Sequence, residues 1–352
     1  MKPSNTIKLS GTAAVLALAL TGCVQSGRTA NTAEGSACPW KADPSIKTTA
    51  RIGYQKIPNA DLVVKDRGLL EACMPNATIK WSNFASGGDV VQGYGAKSID
   101  IGLMGSSPAT IALSKPLEMP ISVIWIHDVI GSAESLVVRD KSITDINGLK
   151  GKTVAVPFSS TAHFSLLQAL QDADLDPAAD VKIINLEPEK MPSAWHGGQV
   201  DAAWVWDPVL SELKKDGQVV LSSADTAKAG KPTYDLGTAS NAFMSANPEF
   251  MDEWARVEDY AVKMIDEDPD KAAESIAVET GVGPKDVLAL FPGYVYLRAS
   301  QQADADHLGG KLGKDLFTTA KFLVAQGGID TVSPEGSYAD GVDTKPAEAA
   351  SQ

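Results

Sequence analysis

Ile101-Gly102-Leu103-Met104-Gly105-Ser106-Ser107-Pro108 is the stretch whose reading decides the fold. Its first four residues carry no charge and read as a buried strand, and Gly105-Ser106-Ser107-Pro108 stops that strand. Ala109 to Leu113 then resumes as a helix opened by Pro, which suits a first helical turn because its missing N–H has no partner there anyway. The same grammar recurs twice. Thr153 to Val156 runs into Pro157-Phe158-Ser159-Ser160-Thr161 and then Ala162 to Leu170; Ala202 to Trp206 runs into Asp207-Pro208 and then Val209 to Lys214. Each turn joins the carboxyl end of a strand to the start of a helix, where open α/β sheets bind their ligands.

Working outward, further strands are expected at Arg51 to Tyr54, Thr78 to Phe84, Ile99 to Met104, Ile121 to Ile126, Ser135 to Val138 and Val181 to Leu186, with helices after most of them. That alternation predicts an α/β protein with largely parallel sheets. From Pro248 onward the texture is helical: Pro248 to Asp266, Pro269 to Glu279, Pro284 to Leu290 and Gln301 to Gln326. The small, polar tail after Tyr338 is expected to be disordered. The 352 residues suggest two domains, and 44% hydrophobic content excludes a mainly disordered chain. With 31 Lys and Arg against 44 Asp and Glu, no basic patch is available for a phosphate backbone, which argues against nucleic acid.

The first residues read as an address. Lys2 and Lys8 precede the eight-residue apolar run Ala13 to Leu20, far short of the roughly 20 residues that span a bilayer, so the run reads as a signal h-region. Leu20-Thr21-Gly22-Cys23 follows and resembles the lipobox of bacterial lipoproteins, in which the Cys is lipidated and becomes the mature N-terminus. The other reading is a secretory signal with an incidental Cys. If Cys23 is lipidated, Cys38 and Cys73 remain as an even pair in an oxidising compartment; a disulfide and two free thiols both stay open, since sequence does not give their separation.

Catalytic and cofactor signatures are missing. The four His have no HExxH or Cys-paired spacing, there is no G-x-S-x-G elbow, and Gly151-Lys152-Thr153 lacks the rest of a P-loop and leads into a strand. No catalytic residue, metal or cofactor is therefore expected. Ser106, Ser107, Ser160 and Thr161 offer hydroxyls at helix starts, where unpaired N–H groups and the helix dipole favour an anion; the same residues are also the ordinary N-caps of any helix.

From Arg51 to Gln326 the chain resembles the taurine, alkanesulfonate and nitrate group of solute-binding proteins of ABC importers, most closely its taurine-binding members. The resemblance rests on Gly53-Tyr54-Gln55, Phe84-Ala85-Ser86-Gly87, Ile101-Gly102 with Gly105-Ser106-Ser107-Pro108, and Gly151-Lys152 leading to Val154-Ala155-Val156-Pro157-Phe158. It continues through Ser160-Thr161, His163, Ser165-Leu166-Leu167, Ala194-Trp195, Asp201-Ala202, Val205-Trp206 with Pro208, and Pro232-Thr233 with Asp235. It implies a type II periplasmic-binding-protein fold, two α/β lobes joined by a two-strand hinge near Gly131 to Val137 and Asp235 to Ser240. The expected organisation is a signal peptide (1–22), a tether and extension (23–48), lobe one (49–133), lobe two (134–236), the return to lobe one with the C-terminal helices (237–338) and a disordered tail (339–352).

The resemblance also implies a binding site. Ser106, Ser107, Ser160 and Thr161 would converge on a sulfonate, with Gln55 and the Ser86-Gly87 turn adding donors. Asp235 would face the ammonium of taurine, although it also suits an ordinary turn. Trp206, Tyr54 and Phe84 read as cleft walls or as core. Two departures from the taurine-binding pattern are Ala85 before Ser86-Gly87 and Asp207 between Trp206 and Pro208; Asp207 is read as a second cationic contact or a helix cap. The implied function is that of a monomeric, lipid-anchored receptor outside the cytoplasmic membrane, delivering a small sulfonate to a permease and its ATPase. Plain alkanesulfonates, another small organic ligand, and an enzyme built on this fold are the rival readings.

Overall fold

The computed structural model describes residues 37–352. The signal segment, Cys23 and the tether up to residue 36 lie outside the described residues. Among the described residues eleven strands form two sheets. The first contains β1 (Thr49–Tyr54), β2 (Thr78–Asn83), β3 (Ile101–Gly105), β4 (Ile121–Ile130), β10 (Tyr234–Ser240) and β11 (Tyr294–Val295), in the order β11-β4-β10-β3-β1-β2. The second contains β5 (Glu134–Val138), β6 (Thr153–Val156), β7 (Lys182–Asn185), β8 (Ala202–Trp206) and β9 (Gln218–Ser222), in the order β7-β6-β8-β5-β9. Strands β1, β2 and β3 run parallel, as do β6, β7 and β8, whereas β10 and β5 are antiparallel to their neighbours. The sheets are therefore mixed rather than largely parallel, because each crossover between lobes inserts one reversed strand.

Burial explains the apolar runs. In the second sheet Leu136, Val138, Val154, Val156 and Trp204 pack on one side, and Val137, Ala155, Ala203 and Val205 on the other. Adjacent residues of a strand point to opposite faces, so a strand covered by helices on both faces must be apolar throughout. The helix Pro248–Glu267 shows the other period: Phe250, Met251, Trp254, Val257, Ala261 and Ile265 are buried along one stripe against the first sheet's layer.

Only residues 131–133 carry the chain from β4 into β5. Gly131 and Ala133 both donate their N–H groups to the Gly293 carbonyl, at 3.0 and 3.2 Å. A Cβ on Gly131 would lie 2.6 Å from that same oxygen, so the crossing needs glycine there. The return runs from β9 through the helix Ser223–Lys228 and residues 229–233 into β10. Tyr234 to Ser240, expected to contain a hinge, is instead a central strand of the first sheet, and the connection precedes it.

Two helical expectations need correction. Gln301 to Gln326 is not one helix: Ala299–Gln302 and Lys311–Ala325 flank a break at 303–310 that ends in Gly309-Gly310. Gln302 is withdrawn from any longer helix face because its side chain bonds both backbone groups of Ile126, each at 2.8 Å. Nor is the tail disordered. It forms Glu335–Asp340 and Lys345–Ala350, with Tyr338 and Ala347 fully buried, and residues 341 and 343 bond the backbone of Val123. A few apolar anchors in a small, polar segment suffice once a preformed groove receives them. Cys38 and Cys73 form a disulfide, with Cα atoms 4.8 Å apart, which settles the pairing left open above. Among the described residues no helix is long and apolar enough to cross a membrane.

Candidate ligand-binding site

A narrow pocket lies between the two sheets. The first lobe lines it with Gln55, Ile57, Gly87, Gly105, Ile130, Asp235 and Tyr294, and the second with Glu134, Ser160, Thr161 and Trp206. Most of these residues are buried, so the lobes are closed over the space and a solute enters only when they part.

Three helix starts meet here: Gly87–Gly95, Ser106–Leu113 and Thr161–Asp172. Each supplies the unpaired N–H groups of a first turn and the positive end of its dipole, a setting for an anion that needs no Lys or Arg. None of the lining residues is basic. Glycine at two starts leaves room for the side chains packed against them. A Cβ on Gly105 would fall 2.5 Å from Thr161 Cγ2 of the other lobe, and one on Gly87 would fall 2.5 Å from Pro108 Cγ.

Two carboxyl groups, Glu134 and Asp235, share the rest of the wall with Ile57, Ile130, Trp206 and Tyr294. Glu134, the first residue of β5, accepts from the Thr161 hydroxyl at 2.6 Å and the Ser223 hydroxyl at 2.7 Å, and it is 1% exposed. Burial pushes its carboxyl up to about 7 against those two bonds, which pull it down. Asp235 faces Asp128 in register across β10 and β4, and both Asp128 oxygens are buried with no donor from the surrounding protein. Burial first, and then neighbouring negative charge, raises both. A bulge in β4 beside this pair carries one extra residue, which re-aims the side chains there. With no cation at hand, such a group of buried acids holds protons; a cationic group entering the pocket would let them ionise.

A family model described as NMT1-like matches residues 43–279. The chain belongs to the NMT1-like family. The "Taurine-binding periplasmic protein" of Escherichia coli (strain K12) is 36% identical over 74% of this chain and 82% of that protein. A "Putative aliphatic sulfonates-binding protein" of Bacillus subtilis (strain 168) is 30% identical over 64% of this chain and 67% of its own length. Among solved structures, the alkanesulfonate-binding protein SsuA from Xanthomonas axonopodis pv. citri, bound to MOPS, superposes with a TM-score of 0.69 at 22% identity, covering 87% of this chain and all of that one. That likeness shows the fold: two α/β lobes of the periplasmic-binding kind.

Within this NMT1-like fold the structure brings together Gln55, Gly87, Ser160, Thr161, Trp206 and Asp235 at the pocket. Ser86, Ser106 and Ser107 are buried one or two residues from lining Gly87 and Gly105. Several hydroxyls expected to face a ligand are already engaged. Ser86 donates to Asp89 at 2.9 Å, Ser160 donates to the Pro157 carbonyl at 2.6 Å while accepting from His163 N–H, and Thr161 donates to Glu134. The Ser106 hydroxyl oxygen accepts the Tyr234 N–H at 3.3 Å, which leaves its proton to give. Gln55 spends one amide hydrogen on the Leu103 carbonyl and keeps the other.

The remaining candidates sit elsewhere. Tyr54 packs edge-on against Trp81 under the Lys65 ammonium, and the Phe84 ring fills the space beside Gly53 and Gly93. Asp207 accepts from the backbone and hydroxyl of Ser211 at 2.9 and 2.7 Å, holding the start of Val209–Leu213, and lines a groove on another side of the lobe crossing. Glu134, Ile57, Ile130 and Tyr294 were missed by sequence reasoning. Glu134 had one signal: an acid opening an apolar strand, inside the expected hinge Gly131 to Val137.

Proposed function

We propose that this chain is the extracytoplasmic receptor of an ABC importer, lipid-anchored through Cys23, that closes its lobes around taurine or a close aminosulfonate. One observation carries the reading: three helix starts and the buried carboxyls of Glu134 and Asp235 line one pocket without a basic side chain. A sulfonate keeps its charge at physiological pH and is matched by fixed N–H donors. An ammonium is matched by carboxylates that otherwise hold protons. The likeness to the E. coli taurine-binding protein supports the same ligand. Gln55, Gly87, Ser106, Ser160 and Thr161, with their neighbours Ser86 and Ser107, would frame the sulfonate; Asp235, with Glu134, would take the amine, and Trp206 would exclude water.

Calorimetry with taurine and with ethanesulfonate, which lacks the amine, tests this. Asp235→Asn should weaken taurine by the worth of a charge-assisted hydrogen bond, about 1.5–3 kcal/mol or roughly ten- to 150-fold, and leave ethanesulfonate within a few-fold. Equal losses for both would remove the ammonium role. The second reading, a receptor for plain alkanesulfonates, is favoured by the raised Glu134 and Asp235 carboxyls, since a pocket of protonated acids accepts an anion without a cation. Tighter binding of ethanesulfonate than of taurine would establish it.

A further inference from the structure

Away from the pocket, the first lobe buries a second polar group. Asp61 stands in the first turn of Ala60–Arg67, His127 on β4 and Glu258 in the middle of Pro248–Glu267; they are 2%, 1% and 0% exposed. One ligating atom from each lies within 4.8 Å of the others, and His127 Nδ1 is 3.8 Å from Glu258 Oε2. Asp61 Oδ1, His127 Nδ1 and both Glu258 oxygens find no hydrogen-bond donor in the surrounding protein beyond an acid proton of their own. Trp254 packs its edge against the imidazole, and apolar residues close the site.

Three ligating side chains from three chain elements meet in one dry space with their acceptor atoms unmatched by the surrounding protein. Buried polar atoms are almost always partnered, and two buried carboxylates without a cation are especially costly. We propose that Asp61, His127 and Glu258 form a binding site for one borderline divalent cation of the zinc type. The donor set is apt: one imidazole, held neutral by burial, and two carboxylates that together match a double positive charge. Ligands around a tetrahedral ion of this kind stand about 3.3 Å apart, so the group tightens by small side-chain rotations with no movement of the backbone. The ion would pin helix 60–67 and helix 248–267 to β4, and so fix Asn59, which accepts the Asp61 N–H at 3.2 Å and neighbours Asp128 behind the pocket.

The test uses the tag-free chain, stripped with a chelator, incubated with Zn²⁺, Mn²⁺ or Co²⁺ and desalted before elemental analysis. About one equivalent of Zn²⁺ should remain, Co²⁺ should give the visible absorption of a low-coordinate site, and the unfolding temperature should rise with added Zn²⁺. Glu258→Gln and His127→Gln should each lose the retained ion and the absorption. If these variants fold poorly, Asp61→Asn at the helix start provides the third arm. A folded wild-type chain that retains no metal would overturn the proposal and leave the acids sharing a proton, as would equal retention by wild type and Glu258→Gln.

Discussion

Replacing Gly105 with Ala adds one methyl group at the tightest contact between the lobes. Gly105 sits at φ −66° and ψ 163°, a conformation any residue adopts, so the substitution leaves the first lobe unstrained. Its new Cβ would meet Thr161 Cγ2 at 2.5 Å, about 1 Å inside ordinary contact. Thr161 cannot turn the methyl away cheaply, because its hydroxyl is fixed on Glu134 at 2.6 Å. The lobes must therefore part slightly, and the cost falls on the closed state alone. Overpacking of this size costs about 1–3 kcal/mol, and a ligand that binds the closed state loses that much affinity, roughly five- to 150-fold. Calorimetry should show the loss for taurine, while thermal unfolding without ligand stays within a degree or two of wild type. Adding Thr161→Ser removes the opposing methyl and keeps the hydroxyl on Glu134, so the double variant should recover most of the affinity. Wild-type affinity in Gly105→Ala, or no recovery in the double variant, would refute closure over this pocket as the binding step.

Ligand-free stability should fall as pH rises from about 5 to 8. Burial holds Glu134 up to about 7 and raises Asp235, so the folded chain keeps protons that the unfolded chain gives up above about 4, and raising the pH favours unfolding; a melting series checks the slope. Taurine should oppose that fall by letting the acids ionise, with protons released on binding between pH 6 and 7, visible as a dependence of calorimetric heat on buffer ionisation enthalpy. Ser160→Ala should cost about 0.5–2 kcal/mol of stability as a lost helix cap, measured by urea unfolding, while changing taurine affinity only a few-fold, because that hydroxyl is already bonded to Pro157. Tyr338→Ala should cost about 3–5 kcal/mol, since the ring is fully buried and its hydroxyl bonds Ser114 at 2.8 Å; a loss below about 1 kcal/mol would mean the tail does not hold the first lobe.

What was legible in the sequence follows from what repeats locally. The eight strands read from apolar runs are all present, because a run buried on both faces has no polar alternative to hide it. The segment Asp235 to Ser240 was expected to be a hinge from the family resemblance, and its polar and small residues gave no apolar run to mark it as a strand. Gly237 is there for space, with Trp125, His127 and Trp254 all within 3.2 Å of where a Cβ would be, and Thr238 donates to the Gly102 carbonyl. Both demands come from partners far away in the chain. Glu134 and Tyr294 escaped for the same reason: 27 residues separate Glu134 from Thr161 and 89 separate it from Ser223, and no local pattern marks such a meeting.

The hydroxyl turns that carried the sequence reading have a different part in the structure from the one their spacing implied. Ser86, Ser160 and Thr161 spend their protons on Asp89, Pro157 and Glu134, so these side chains build the frame, while the Ser106 hydroxyl and one Gln55 amide hydrogen keep a proton to give. In the proposed reading, an anion held by helix-start N–H groups and these few neutral donors is held by its charge and shape, with little to tell one sulfonate from another. Selectivity then falls to the opposite chemistry, the acids. Glu134 is steered by Thr161 of its own lobe, and Asp235 faces Asp128 across two strands of the other; if both acids take the ammonium, as proposed above, that charge should draw the lobes together. On this argument the charge that distinguishes an aminosulfonate from a plain sulfonate is also the charge that closes the protein.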